Sequence, residues 1–339
     1  MTKYLKWGFV VIAAVWAALI GTMIGYAWNS THIPQPVKTA QQPPAQNTNI
    51  SIETQEKMEG YWTVAVFGVD SREGTLGKET RSDMQMVFNV NLETGEIRVV
   101  SIYRDTFLKL NQKGRYGKIN DAYFLGGPGQ AVDALTENLD LSIDDYASFS
   151  WKSVADAINI LGGIDVDISH EEFRLINGFI TETVESTGVG SHHLKKEGLN
   201  HLDGVQAVAY ARLRKMDTDF KRTERQREVV DLVLQKARKA DLGTLNRLVT
   251  TVLPQTSTSI GLKDLFPLVK NINQFHLSGT EGFPSKLKDA VIKKQDCVVP
   301  VDLDTNVKHL HQFLFDEEDY EPSETVKEIS RQIKIQTGK

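Results

Sequence analysis

The sequence predicts an α/β domain, with a central mixed β-sheet covered by helices, preceded by one transmembrane helix. Three observations predict it. From Tyr61 onward, short apolar β-rich runs alternate with stretches of helical spacing, the pattern of a sheet layered with helices. Near the N-terminus, Trp7 to Trp28 ("WGFVVIAAVWAALIGTMIGYAW") carries no charged residue. Hydrophobic residues make up 40% of the 339-residue chain and charged residues 24%, the profile of a globular protein with a core.

The apolar run is long enough to cross the roughly 30 Å hydrocarbon layer at about 1.5 Å per residue. Trp7, Tyr26 and Trp28 suit the two interfaces. Lys3 and Lys6 precede the run, and the next Lys or Arg is Lys38. That bias places the N-terminus in the cytoplasm and everything after Trp28 outside, a single-pass cell-membrane protein. A cleaved signal peptide is the rival reading. The run is long for one and no clear small-x-small site follows, which favours an uncleaved anchor. The expected organisation is a cytoplasmic N-terminus (1–6), an anchor (7–28), an extracellular linker (29–60), an outer globular domain (61–316) and a charged tail (317–339). The linker is rich in Gln, Pro and Thr and reads as an extended tether. The tail reads as loose, with room for a terminal helix.

Within the domain, "YWTVAVFGVD" reads as a buried strand ending at Asp70, and "MQMVFNVNLETGEIRVVSIYRD" as two strands joined by a turn at Glu93–Gly95. Asp83 enters the first of these and Arg104 leaves the second, so an antiparallel hairpin makes them neighbours. "GPGQAVDALTENLDL" is expected as a helix entered at Gly-Pro, "DDYASFSW" as a strand, "WKSVADAINILGG" as a helix and "GIDVDIS" as a strand. The stretch 170–198 reads as a polar, irregular surface excursion. Helices follow at "LDGVQAVAYARLRK" and "DFKRTERQREVVDLVLQKARKA", then at "GLKDLFPLVKNINQF" and "VKHLHQFLF", with one strand at "CVVPV". No repeat and no break marks a second domain. The single cysteine, Cys297, reads as a buried strand residue.

Charged residues gather at the ends of these elements. Arg222, Arg225, Gln226 and Val229 fall at i, i+3, i+4 and i+7, one helix face that continues into Val230 and Val233. Surface ion pairs are the plain alternative, and they contribute little. Arg212 and Arg214 end the preceding helix, where favourable charge at a C-terminus is the plain alternative and explains Arg214 equally well. Lys118 and Asn120 follow the hairpin in "GKINDAY". Arginine forks suit phosphate oxygens, whereas Asp70 and Asp83 repel them. The two types agree if a hard divalent cation lies between, because Mg²⁺ is held by one or two carboxylates plus phosphate oxygens. The set reads as a metal-assisted pyrophosphate site.

The exclusions are clear. A net charge of −5 is no nucleic-acid footprint, and no helix-turn-helix stands out, so no nucleic-acid partner is expected. There is no GxxxxGK[ST] loop for a nucleotide and no HExxH for zinc. No GxSxG elbow is present for a serine hydrolase.

"FGVDSR", "TRSDMQMVFNVN", "VSIYRDT", "GKINDAY" with "LGGPG", and "YARLRKMDTDFKRTERQ" resemble, in order and spacing, the motifs of the LytR–CpsA–Psr family, over about Tyr61 to Phe315. The resemblance implies an α/β domain with a hydrophobic tunnel for a polyprenyl chain. It implies transfer of an anionic glycopolymer, of teichoic acid or capsular polysaccharide type, from a polyprenyl diphosphate carrier to peptidoglycan. By resemblance, Asp70 and Asp83 bind Mg²⁺ (or Mn²⁺). Arg72, Arg81, Arg104, Arg222 and Arg225 hold the diphosphate with Gln226 beside it, and Arg212 and Arg214 match less securely; Lys118, from its place after the hairpin, is a further candidate for the diphosphate. Arg104, Asp105, Asp219 and Arg222 are the catalytic candidates. Asp219 would orient the acceptor or act as base, while Asp105 would position arginines. Tyr103 departs from the family's usual proline, and the stretch before Asp219 lacks a common glycine. A hydrolase using the same site, a non-catalytic lipid-carrier binding protein and a transcription attenuator are the alternatives.

Overall fold

The computed structural model describes residues 44–69, 76–214, 219–260 and 276–338. The predicted anchor, Asp70, Arg72 and the helix expected at 261–275 lie outside these residues. Among the described residues, no helix is long and apolar enough to cross a membrane. The chain divides into two compact units, one built on Phe149–Leu277 and the other on Gln42–Asp70, Leu76–Ser148 and Ser278–Lys339. No break in composition had marked this division.

The second unit opens with helix α1 (Ile52–Met58), capped by Ser51, inside the stretch expected to be a tether. Asn47 donates to the carbonyls of Thr136 and Leu141, and Ile50 is buried, so the chain is held from Asn47 onward. Strands β1 (Tyr61–Val69), β2 (Ser82–Asn91) and β3 (Glu96–Ile102) then form an antiparallel meander. Val69 pairs with Ser82 after a register shift at Gly68. Inward residues Ala65, Phe67, Val87, Val100 and Ile102 belong to one core. A short hairpin, β4 (Phe107–Lys109) and β5 (Tyr116–Lys118), leads to α2 (Asn120–Leu139). The Gly-Pro expected at the entry of this helix instead marks a kink inside it, at Gly127 (φ 73). Strand β6 (Asp145–Ser150) follows.

In the first unit, α3 (Trp151–Ile160) ends at Gly162 and Gly163, both at φ 82. Strand β7 (Ile164–Ile168) then leads into α4 (His170–Thr187). The expected irregular excursion is therefore largely an 18-residue helix. Its buried positions Glu172, Ile176, Phe179, Ile180, Thr183 and Thr187 keep helical spacing, but half of them are polar, which hides the stripe. Strand β8 (Gly198–Leu202) pairs antiparallel with β7 and precedes α5 (Gly204–Arg212). Helices α6 (Asp219–Lys239) and α7 (Leu242–Val252) and strand β9 (Thr256–Thr258) complete this unit.

The chain returns through β10 (His276–Phe283), β11 (Leu287–Ile292) and β12 (Gln295–Pro300). Only one strand was expected here. The β11–β12 turn escapes a sequence reading because Lys293 and Lys294 both take positive φ, positions where Asn-Gly is the usual signal. The main sheet has the order β10-β3-β2-β1-β6-β9. Helices α8 (Leu303–Phe315) and α9 (Glu324–Thr337) close the chain. The tail is not loose: Val326, Ile329 and Ile333 of α9 join the second unit's core. Cys297 is buried in β12, as expected.

Candidate active site

The hairpin brings Asp83 and Arg104 together as the sequence anticipates. Arg104 Nη1 donates to Asp83 Oδ1 at 2.6 Å. Arg104 Nε lies 3.9 Å from Asp105 Oδ2, and Lys118 Nζ is 3.0 Å from Asp105 Oδ1. All four side chains are about one-fifth exposed. Two cations and two carboxylates thus alternate at the end of β3. Asp105 touches both cations, the placement of a group that orients them.

The turn carrying these residues is held by its backbone. Tyr103 N–H donates to the Phe283 carbonyl at 3.0 Å. The Tyr103 carbonyl accepts from Thr106 N–H and Oγ1, the Arg104 carbonyl from Asn120 N–H, and the Asp105 carbonyl from Val298 N–H. Four consecutive residues therefore have a fixed path tied to β10, β12 and α2. A proline at 103 could not make the bond to Phe283. Tyr103 itself is largely buried, 9% exposed. Its ring occupies the place where a Cβ on Gly282 would fall, 2.0 Å from the Tyr103 hydroxyl.

Arg81 sits just before β2 and is exposed. Its Nε donates to Asp121 Oδ1 at 3.0 Å, and its guanidinium lies over the Phe124 ring at 5.5 Å. Asp121 and Phe124 were not singled out in the sequence, where α2 was expected to begin later.

In the other unit, Arg222, Arg225, Gln226 and Val229 are all buried on one face of α6, so the surface ion-pair reading fails. Arg225 Nη1 donates to Glu172 Oε1 at 3.3 Å and Nη2 to the Leu213 carbonyl at 2.9 Å. Gln226 Nε2 reaches the Ala211 carbonyl at 3.5 Å. Val233 is buried and Val230 half-buried. Glu172 was missed because its helix was missed. The signal was present in "SHEE", where Ser169 and Glu172 form a capping box at the start of α4. Arg212 donates to Thr183 Oγ1 at 2.8 Å and lies 5.9 Å over the Trp151 ring, while Arg214 is exposed. Nearby, burial and a bond to Glu228 push the Tyr210 phenol pKa well up, which keeps it neutral. Asp219 begins α6, and its side chain lies outside the described set.

Among the described residues, no three His, Cys, Asp or Glu side chains converge as a metal cage. A cation held by one or two carboxylates and completed by phosphate oxygens needs no such cage. Asp83 is partly exposed and beside Arg104.

The model of the LytR_cpsA_psr family matches residues 26–299. The polyisoprenyl-teichoic acid–peptidoglycan teichoic acid transferase TagU of Bacillus cereus is 31% identical over 269 residues, 78% of this chain and 82% of that protein. TagU of Halalkalibacterium halodurans is 32% identical over 229 residues, 64% of this chain and 69% of that one. Among solved structures, the family protein YwtF (TagT) with bound octaprenyl pyrophosphate lipid has the same fold. Its TM-score is 0.54 at 18% identity, over 91% of this chain and 100% of that one. The fold is of the α/β class, and within it this chain belongs to the LytR–CpsA–Psr family.

Proposed function

We propose that this protein is a membrane-anchored extracellular phosphotransferase. It moves an anionic glycopolymer, of teichoic acid or capsular polysaccharide type, from a polyprenyl diphosphate carrier to peptidoglycan. The observation that carries the reading is the pinned Tyr103–Thr106 turn, which fixes Arg104 against Asp83. The names of the TagU relatives and the octaprenyl pyrophosphate bound to TagT support the substrate class.

A hydroxyl of the acceptor sugar attacks the phosphorus that carries the glycan. The new P–O bond forms as the bond to polyprenyl phosphate breaks, and the hydroxyl proton passes to a base, for which Asp219 is the candidate. Charge grows on the phosphoryl oxygens and on the leaving phosphate. Arg104 offsets it from a fixed position, so little reorganisation is needed as the reaction proceeds. Asp105 and Lys118 hold that position. Arg81 offers a second, exposed guanidinium, and Arg72, Arg212, Arg214, Arg222, Arg225 and Gln226 carry the family's phosphate-binding pattern. Asp83, with Asp70, would hold Mg²⁺ or Mn²⁺, which supplies Lewis-acid stabilisation of phosphate charge. The diphosphate itself supplies the driving force. The apolar run at 7–28 would keep the enzyme beside its lipid substrate.

The test incubates the full chain in detergent with a polyprenyl-diphosphate saccharide, peptidoglycan fragments and Mg²⁺. Labelled glycan should appear on peptidoglycan together with polyprenyl monophosphate, and both should vanish in Arg104→Ala, in Asp83→Ala and on chelation. Free glycan alone would mean a hydrolase. Tight lipid binding without turnover would mean a carrier-binding protein.

A further inference from the structure

We infer that the first turns of α2 are a clamp that aims Arg81, with Asp121 and Phe124 as positioning residues. The inference rests on the phosphotransferase reading and deepens it. The clamp begins with Pro128. In a continuous helix the N–H of residue 128 would bond the Phe124 carbonyl, but proline has none. Gly127, at φ 73 and ψ −160, turns the chain out of the helix at that point. The Phe124 carbonyl instead accepts from Glu79 N–H at 2.9 Å. One residue earlier, the Tyr123 hydroxyl donates to the Leu76 carbonyl at 2.7 Å. A Cβ on Gly127 would lie 3.4 Å from Lys78 N, so the helix and the segment before Arg81 are in close backbone contact.

The segment Leu76–Thr80 is thereby tied to α2, and the same helix holds the side chain that follows. Asp121 takes the Nε edge of Arg81, and Phe124 takes its flat face. The two terminal nitrogens make no hydrogen bond or ion pair among the described residues, and the side chain is 59% exposed. These are the nitrogens that bind two oxygens of a phosphate at once. Phe124 is 40% exposed, and its ring face attracts the Arg81 guanidinium lying over it. An arginine left mobile would have to be ordered when the diphosphate binds; here its orientation is set beforehand. A carboxylate three residues from an aromatic on the same helix face supplies both restraints.

Ordering one long side chain costs a factor of about two to ten in affinity, which sets the expected effect. Donor KM and kcat would be measured for the full chain and for Asp121→Asn, Phe124→Ala, Phe124→Tyr, Arg81→Ala and Arg81→Ala with Asp121→Asn. Asp121→Asn and Phe124→Ala should raise KM for the polyprenyl-diphosphate saccharide about two- to tenfold with kcat nearly unchanged. Phe124→Tyr should restore the wild-type KM. Asp121→Asn should add nothing once Arg81 is alanine. An equal effect of Asp121→Asn in both backgrounds would overturn the inference, as would a lowered KM, because the carboxylate would then only repel phosphate. Should the wild type turn over no donor, the transferase reading fails. Binding of inorganic pyrophosphate then decides the clamp: the same loss in the two variants supports it, and no binding or no loss overturns it.

Discussion

Ile329 and Ile335 lie on the same terminal helix, α9, and have opposite environments. Ile329 is 2% exposed in the core of the second unit, where α9 packs on α2, α8 and β4. Ile335 is 69% exposed. Replacing Ile329 by alanine removes three buried carbons and leaves a cavity, a loss of about 2–5 kcal/mol. At about 2–4 °C per kcal/mol for a unit of this size, a central value of about 3 kcal/mol lowers the melting temperature by about 6–12 °C. Ile335→Ala should change stability by less than about 0.5 kcal/mol, since nothing is unpacked and alanine favours a helix. Urea unfolding of the two variants beside the parent, followed by circular dichroism, measures both. If Ile329→Ala unfolds at the same urea concentration as Ile335→Ala, the tail is a loose appendage and its assignment to the core is wrong. Asp140 makes the same claim by hydrogen bonding. This fully buried carboxylate accepts from the Tyr320 hydroxyl and from Ser323 N–H and Oγ at 2.7–2.8 Å, fastening the entry to α9.

Three further expectations follow from particular contacts. Gly204→Ala would place a Cβ 1.9 Å from the Ala155 carbonyl oxygen where α5 crosses α3; a loss of at least about 2 kcal/mol is expected, read by chemical unfolding. Glu172→Ala removes one buried acceptor of Arg225 and the capping-box acceptor, so it should cost about 1–3 kcal/mol, while Glu172→Gln should cost less because the cap survives. Glu317 has its carboxyl pKa held below the ordinary value, first by His311 beside it and then by Lys57. A depressed folded pKa gives stability that is present above the unfolded value near 4.5 and is lost as pH falls through the folded one. Unfolding measured from pH 6 down to pH 3 should show that decline, and Glu317→Gln should flatten it.

Much of the site was legible in the sequence because antiparallel pairing is a local rule. Two strands with a short turn force Asp83 and Arg104 together, and the i, i+3, i+4, i+7 spacing puts Arg222, Arg225 and Gln226 on one face whatever they pack against. The order of the motifs was enough to name the family. Periodicity failed where burial and hydrophobicity part company. Helix α4 buries Glu172 and Thr183 because Arg225 and Arg212, distant in the chain, bond to them, while the hydroxyls of Thr183 and Thr187 turn back onto carbonyls one helical turn earlier. The α9 stripe is short and its anchor, Asp140, stands more than 180 residues before it. The division into two units leaves no composition signal because its boundary falls inside a strand, at Ser148 and Phe149. The sequence by itself therefore determined which charged groups this protein carries and which strand ends bear them. Only the tertiary structure decided which groups are held rigid: Arg104 by a turn whose carbonyls are all bonded, Arg225 by Glu172, and Arg81 by a helix that opens at Pro128. The reason is physical, since the partner that fixes each arginine comes from a different element, and spacing along one element carries no record of it.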